Sequence, residues 1–107
     1  IDIETAKPML SFKKGGLSGP MIKPIAIRCV YEIYERWVRI PIIGTGGVIS
    51  GKDAIEMMQA GASAIGIGSA VYYNGFEAFG KINKEIEVWM KEHNYKNLDK
   101  LKGLAHV

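Results

Sequence analysis

Three glycine-rich stretches hold the residues best suited to chemistry. Gly46-Gly47 lies within Gly44-Thr45-Gly46-Gly47-Val48, Gly68-Ser69 ends the run from Ala64, and Gly15-Gly16-Leu17-Ser18-Gly19-Pro20 stands upstream. Glycine lets backbone N–H groups come within hydrogen-bonding distance of an anion with no side chain in the way. The Ser69 hydroxyl and a helix start at Ala70–Tyr72 would add donors and a favourable dipole. The chemistry implied is a phosphate grip; the plain alternative is a set of tight turns after strands.

Other reactive side chains point less clearly to a site. Cys29 falls on an apolar helical stripe and reads as a buried structural thiol. His93 and His106 lie in a polar C-terminal region with no carboxylate or cysteine at ligand spacing, so no metal is expected. Lys13-Lys14 reads as a solvated loop, and Asp53 and Glu56 as solvent-facing. The 44–48 glycines do not complete a dinucleotide fingerprint, because the third glycine is misplaced and no acidic residue follows the next strand.

The elements that must position these loops alternate. A helix begins at Met21, with Ile22, Ile25, Ala26, Cys29, Val30, Ile33 and Trp37 predicted as its buried stripe. Pro24 is tolerable there because it lies in the first turn. Arg39-Ile40-Pro41-Ile42-Ile43-Gly44 reads as a strand apolar on both faces, which marks a covered parallel sheet. Ser50 and Asp53 form a capping-box pattern that opens a helix, with Ile55 and Met58 inward and Gly61 as its stop. A second strand spans Ala64 to Gly68. The tail is helical from Phe76, with Phe79, Ile82, Ile86 and Trp89 inward and Lys81, Lys84, Glu85 and Lys91 outside. Asn97 caps a last short helix through Lys102, ended by Gly103. This order predicts an α/β fold with parallel strands and right-handed crossovers.

Composition narrows the class. The 107 residues carry 14 Lys and Arg against 11 Asp and Glu, a net charge of +3, with 48% apolar and 23% charged residues. That apolar content excludes a disordered chain, and the small, scattered charge excludes a nucleic-acid-binding arm. One cysteine permits no intrachain disulfide and fits a reducing cytoplasm. No apolar run approaches the roughly 20 residues of a membrane span, and Ile1-Asp2-Ile3-Glu4 does not read as a signal peptide. Two strands make no stable parallel sheet, whereas a barrel of eight takes about 250 residues. The sequence therefore reads as the last third of something larger, and alone it should not form a compact, cooperatively melting monomer.

Read together, Gly15–Ala26, Ile40–Val48 and Ala60–Ala70 closely resemble the C-terminal part of the dihydroorotate dehydrogenase family, most of all its B-type class 1, NAD-linked catalytic subunits. The resemblance covers nearly the whole chain in the same order and spacing. It implies an FMN-containing (β/α)8 TIM barrel that oxidises dihydroorotate to orotate in pyrimidine biosynthesis. Residues 1–107 would then run from the loop after strand 6 through helix 8 of one FMN-binding domain. Carried over residue by residue, Gly19 lies beneath the flavin, and Gly46, Gly47, Gly68 and Ser69 hold its phosphate. The family's cysteine base, its lysine and its asparagines would precede Ile1, so no catalytic residue is assigned here and the segment alone should be inactive. The resemblance also implies the remaining N-terminal part of the barrel, a homodimer or heterotetramer, and an iron–sulfur, FAD-containing electron-transfer subunit as partners.

Two other readings share the same residues. A phosphate-gripping barrel isomerase or lyase would use these loops without flavin, and a non-catalytic half-barrel would only bind phosphate. The Gly15–Pro24 loop separates the first reading from the isomerase, since a phosphate grip alone does not call for it. Bare strand edges and apolar faces argue against a free half-barrel.

Overall fold

The computed structural model describes residues 1–37 and 40–107. An irregular entry of turns and bends, with an isolated bridge between Asp2 and Lys7, leads to a 3-10 turn at Pro20–Ile22. Then follow α1 (Lys23–Arg36), β1 (Ile43–Thr45), α2 (Gly51–Gln59), β2 (Ala64–Gly66), α3 (Ser69–Asn74) and α4 (Glu77–Glu92). Strand and helix alternate as the sequence predicts. The two strands run parallel, with Ile43 opposite Ala64, Gly44 opposite Ile65 and Thr45 opposite Gly66.

Local chemistry explains the element ends. Pro24 sits in the first turn of α1, where its missing N–H leaves no bond unmade. Ser50 caps α2 in a full capping box: its hydroxyl accepts from the Asp53 N–H, and the Asp53 carboxylate accepts from the Ser50 N–H. Gly61 follows α2 with φ +125, a conformation that a side-chain-bearing residue rarely adopts. The core lies between the strands and one helical layer, joining Val30, Val48, Ala54, Ile55, Met57, Ala62, Ile82 and Ile86. Gly44 is needed in β1 because Met57 and Ala62 fill the space a side chain would occupy.

Several expectations are corrected. The packed stripe of α1 is Ala26, Ile27, Val30 and Tyr31, whereas Ile25, Cys29, Ile33 and Trp37 are exposed. Helical spacing fits both rows, and α1 turns only the first toward the core. Cys29 is thus an exposed thiol, not a buried one. The first strand is short, beginning at Ile43, and Ile43 is 72% exposed rather than covered on both faces. Arg39, which opens the predicted strand run, lies outside the described residues. Phe79 is exposed, and Ala78 takes the inward place beside Ile82. Glu85 is half-buried and accepts the Gly51 N–H at 2.6 Å, tying α4 to the start of α2. The last helix shrinks to a 3-10 turn, Leu98–Lys100, with the Asn97 side chain accepting from the Asp99 N–H.

The radius of gyration is 16.5 Å, against about 13 Å for a compact chain of this length. The molecule is thin and elongated, with extents of 56 × 34 × 18 Å. Among the described residues, no helix is long and apolar enough to cross a membrane.

Candidate functional site

Parallel pairing decides where the glycine loops go. Because Thr45 lies opposite Gly66, Gly46-Gly47 and Gly68-Ser69 leave the sheet at the same end, on strands about 4.8 Å apart. In α/β folds ligands bind at this C-terminal end. The third loop reaches the same place. A Cβ built on Gly47 would stand 2.7 Å from the Gly19 carbonyl oxygen, and one built on Gly19 would stand 3.4 Å from the Tyr73 hydroxyl of α3. All three glycine-rich stretches therefore converge.

The five predicted residues differ in setting. Gly19 and Gly47 are buried, with φ +86 and +71, and Gly46 is half-buried with φ +128. A side chain at Gly46 would strike Ala26 Cβ at 2.7 Å. Gly68 is exposed, and a Cβ added there meets nothing within 4 Å. Ser69 is half-buried at the first position of α3, a helix of only six residues. Among the described residues, no group accepts a hydrogen bond from the Gly47 or Gly68 N–H. Backbone donors without partners suit an anion, and at Gly68 open space lies beside the donor.

The structure adds two residues to this neighbourhood. Lys23, first in α1, has its Cβ 2.8 Å and its backbone nitrogen 3.0 Å from the position a Gly47 Cβ would take. Its ammonium lies 2.7 Å from Asp53 Oδ1 and 2.7 Å from Glu56 Oε2. Hydrogen bonds to Asp53 and then Glu56 raise the Lys23 pKa above 10.5. Burial pushes the Asp53 carboxyl up, but hydrogen bonds from Lys23, Ser50 and Ile49 outweigh it, and the net pKa lies below 3.8. Asp53 is thus not the solvent-facing carboxylate the sequence suggests. The capping box announces its local role, while its cation stands 30 residues away and leaves no local signal.

Outside the site, Lys13 and Lys14 are exposed. His93 stacks on Trp89, and His106 stacks on Tyr31 with its Nε2 at 2.9 Å from the Ala60 carbonyl. Among the described residues, no three His, Cys, Asp or Glu side chains gather as metal ligands do.

Fold and site together define a class: an α/β chain with parallel strands and ligand-type glycine loops at their C-terminal ends. Comparison with known proteins takes this further. A family model for dihydroorotate dehydrogenase matches residues 1–90, and the chain belongs to that family. It is 50% identical over 106 residues to the catalytic subunit of dihydroorotate dehydrogenase B (NAD(+)) of Methanothermobacter thermautotrophicus, covering 99% of this chain and 35% of that one. The Methanocaldococcus jannaschii subunit of the same name is 52% identical over 106 residues, with 99% and 34% covered. The chain spans about a third of the length of the curated relatives it matches. Among solved structures, ligand-free dihydroorotate dehydrogenase from Eimeria tenella superposes with a TM-score of 0.84 at 29% identity, covering 92% of this chain and 28% of that one. The fold is accordingly a piece of the (β/α)8 barrel of these enzymes.

Proposed function

We propose that these residues form the C-terminal, FMN-phosphate-gripping segment of an NAD-linked dihydroorotate dehydrogenase catalytic subunit, running from the loop after strand 6 through helix 8. The whole enzyme would oxidise dihydroorotate to orotate in pyrimidine biosynthesis. The observation that carries the reading is the convergence of Gly19, Gly46-Gly47 and Gly68-Ser69 at one end of a parallel strand pair. The donor set fits a phosphate: backbone N–H groups of Gly47 and Gly68 with no acceptor among the described residues, and a hydroxyl at Ser69. An isomerase or lyase phosphate site would need the two strand loops but not the Gly19 loop against them.

In this reading Gly46, Gly47, Gly68 and Ser69 bind the FMN phosphate and Gly19 lies beneath the ring system. Bound FMN would supply a two-electron acceptor for dihydroorotate. The chain's own work is to bind and orient. None of its residues is assigned the proton transfer, so the segment alone should not turn over. The remaining barrel strands are required partners. An iron–sulfur, FAD-containing subunit is the proposed electron outlet toward NAD, in a homodimeric or heterotetrameric assembly. The relatives' name, a catalytic subunit of an NAD(+)-linked enzyme, supports a second subunit and NAD, and no more than that. The proposed compartment is the cytoplasm, in keeping with the free thiol of Cys29.

The test is FMN titration of the complete enzyme, followed by reduction of the bound flavin with dihydroorotate. Saturable binding and bleaching of the yellow absorbance are expected. A complete enzyme that binds no flavin would overturn the reading.

A further inference from the structure

Asp53 uses both carboxylate oxygens. Oδ2 accepts from the Ile49 N–H at 3.1 Å, the Ser50 N–H at 3.0 Å and the Ser50 hydroxyl at 2.7 Å. Oδ1 accepts from Lys23 Nζ at 2.7 Å, and the same ammonium reaches Glu56 one turn along α2. The side chains of Lys23 and Asp53 are 26% and 14% exposed, so the pair is partly withdrawn from water and its hydrogen bonds are charge-assisted. A helix cap requires only Ser50 and the Asp53 carboxylate. The cation from α1 goes beyond capping.

These contacts close a ring. Lys23 holds Asp53, which holds the amides of Ile49 and Ser50. Only Val48 separates those amides from Gly47. Gly47 in turn lies against the Lys23 backbone and the Gly19 carbonyl. Moving the two glycine loops apart would stretch this ring at the ion pair.

We infer that Lys23 and Asp53 are a latch that sets the spacing between the Gly19 loop and the Gly46-Gly47 loop, making Lys23 a positioning residue for the phosphate site rather than a phosphate ligand. This rests on the phosphate reading above and adds which pair fixes the site's width. Direct ligation is the obvious competitor for a lysine beside such a loop. Here two carboxylates hold the ammonium at 2.7 Å each, so with all three groups ionised the local charge is −1, repulsive to a phosphate.

The experiment is FMN titration of the flavin-free complete enzyme as wild type, Lys23→Met, Lys23→Arg, Asp53→Asn and the Lys23→Met/Asp53→Asn double variant. Melting temperatures and hydrogen exchange of amides 46–50 are measured in parallel. A latch predicts that each single variant raises the FMN Kd about tenfold, that the double variant is no worse than either, and that Lys23→Arg regains most of the loss. Exchange at 46–50 should rise while the flavin-free melting temperature moves by only a few degrees. If Lys23→Met does not fold, Lys23→Gln replaces it. A direct ligand predicts instead that Asp53→Asn leaves binding intact or tightens it, by freeing the ammonium, and that result would overturn the latch. Unchanged Kd and exchange in both single variants would overturn it too, leaving the phosphate reading in place. If the wild type binds no FMN, the phosphate reading fails alone, and exchange at 46–50 still decides the latch.

Discussion

The Gly19 carbonyl oxygen stands 2.7 Å from the point a Cβ on Gly47 would occupy, closer than real Cβ atoms come to backbone. Gly47 also has φ +71, where a side chain costs roughly 1–2 kcal/mol in backbone strain. Gly47→Ala should therefore push the two loops apart, lowering the melting temperature and weakening FMN binding together. Gly47→Asp should bind worse still, because a carboxylate repels the phosphate. Differential scanning calorimetry beside flavin titration checks this. Wild-type values for Gly47→Ala in both measurements would contradict the contact.

Gly68 separates binding from folding more cleanly. Nothing lies within 4 Å of an added Cβ, and its φ of −129 is not the left-handed conformation that favours glycine. Gly68→Val should leave the flavin-free melting temperature nearly unchanged while placing methyl groups where the proposed phosphate would approach. FMN affinity should fall by tenfold or more. Ser69→Ala should cost about 1 kcal/mol for one lost hydrogen bond, about fivefold in Kd. Titration of the two variants against wild type measures both losses.

What the sequence made legible was local. Ser50 and Asp53 announce the α2 start because a capping box closes within four residues, and Gly46-Gly47 and Gly68-Ser69 announce loops because glycine has few other uses at a strand end. The strand-helix alternation also sufficed for the parallel pair. What stayed hidden depends on distant neighbours. Two apolar rows of α1 fit helical spacing equally, and only the packing of α2 and β1 selects Ala26, Ile27 and Val30 over Ile25, Cys29 and Ile33. Likewise the cation beside Asp53 and the carboxylate on the Gly51 N–H come from residues 30 and 34 positions away.

The ion pair carries a pH signature. The Asp53 carboxyl titrates below 3.8 in the folded chain, so its stabilising contribution is complete above the unfolded value and lost as pH falls through the folded one. Lys23 titrates above 10.5, so its contribution is complete below that value and lost as pH climbs through the raised one. Between about pH 5 and 10 the pair should contribute a constant amount. The melting-temperature gap between wild type and Asp53→Asn should be flat over pH 5 to 8, on the order of a few degrees, and close below about pH 4. A gap that widens toward acid would reverse the assignment.

The C-terminal residues close the far end of α2. The Gly103 N–H donates to the Met58 carbonyl at 3.0 Å, the Ala105 N–H to Gln59 at 3.1 Å, and His106 Nε2 lies 2.9 Å from the Ala60 oxygen. His106 also stacks on Tyr31 of α1, with ring centroids 3.8 Å apart. Water would re-solvate carbonyls freed here, so each bond is worth about 1 kcal/mol. His106→Ala should destabilise the complete enzyme by about 1–2 kcal/mol, and removal of residues 103–107 by about twice that. Flavin affinity at the opposite end of the strands should change little. Urea melts with parallel FMN titrations test the contrast, and a loss of flavin binding without a loss of stability would refute it.

Cys29 is the one thiol in the chain, exposed on α1 in the row with Ile25, Ile33 and Trp37. It follows Lys23 by six residues, about 9 Å along the helix axis from the end that meets Gly47. Its nearest concavity is lined by Glu32, Ile33, Arg36 and Trp37, none of which belongs to the glycine loops. A proton-transfer group must come within about 3 Å of the atom it serves, and this placement does not allow it. Cys29→Ser should therefore leave reduction of bound flavin by dihydroorotate within about twofold of wild type, a change too small to be loss of an acid–base group. If the row is covered by another part of the barrel, a thiol reagent should label Cys29 quickly in the isolated 107-residue chain and slowly in the complete enzyme. Stopped-flow flavin reduction and thiol titration are the measurements. Abolished reduction in Cys29→Ser, with FMN affinity and melting temperature at wild-type values, would put Cys29 in the active site and overturn the separation of its helix row from the glycine loops.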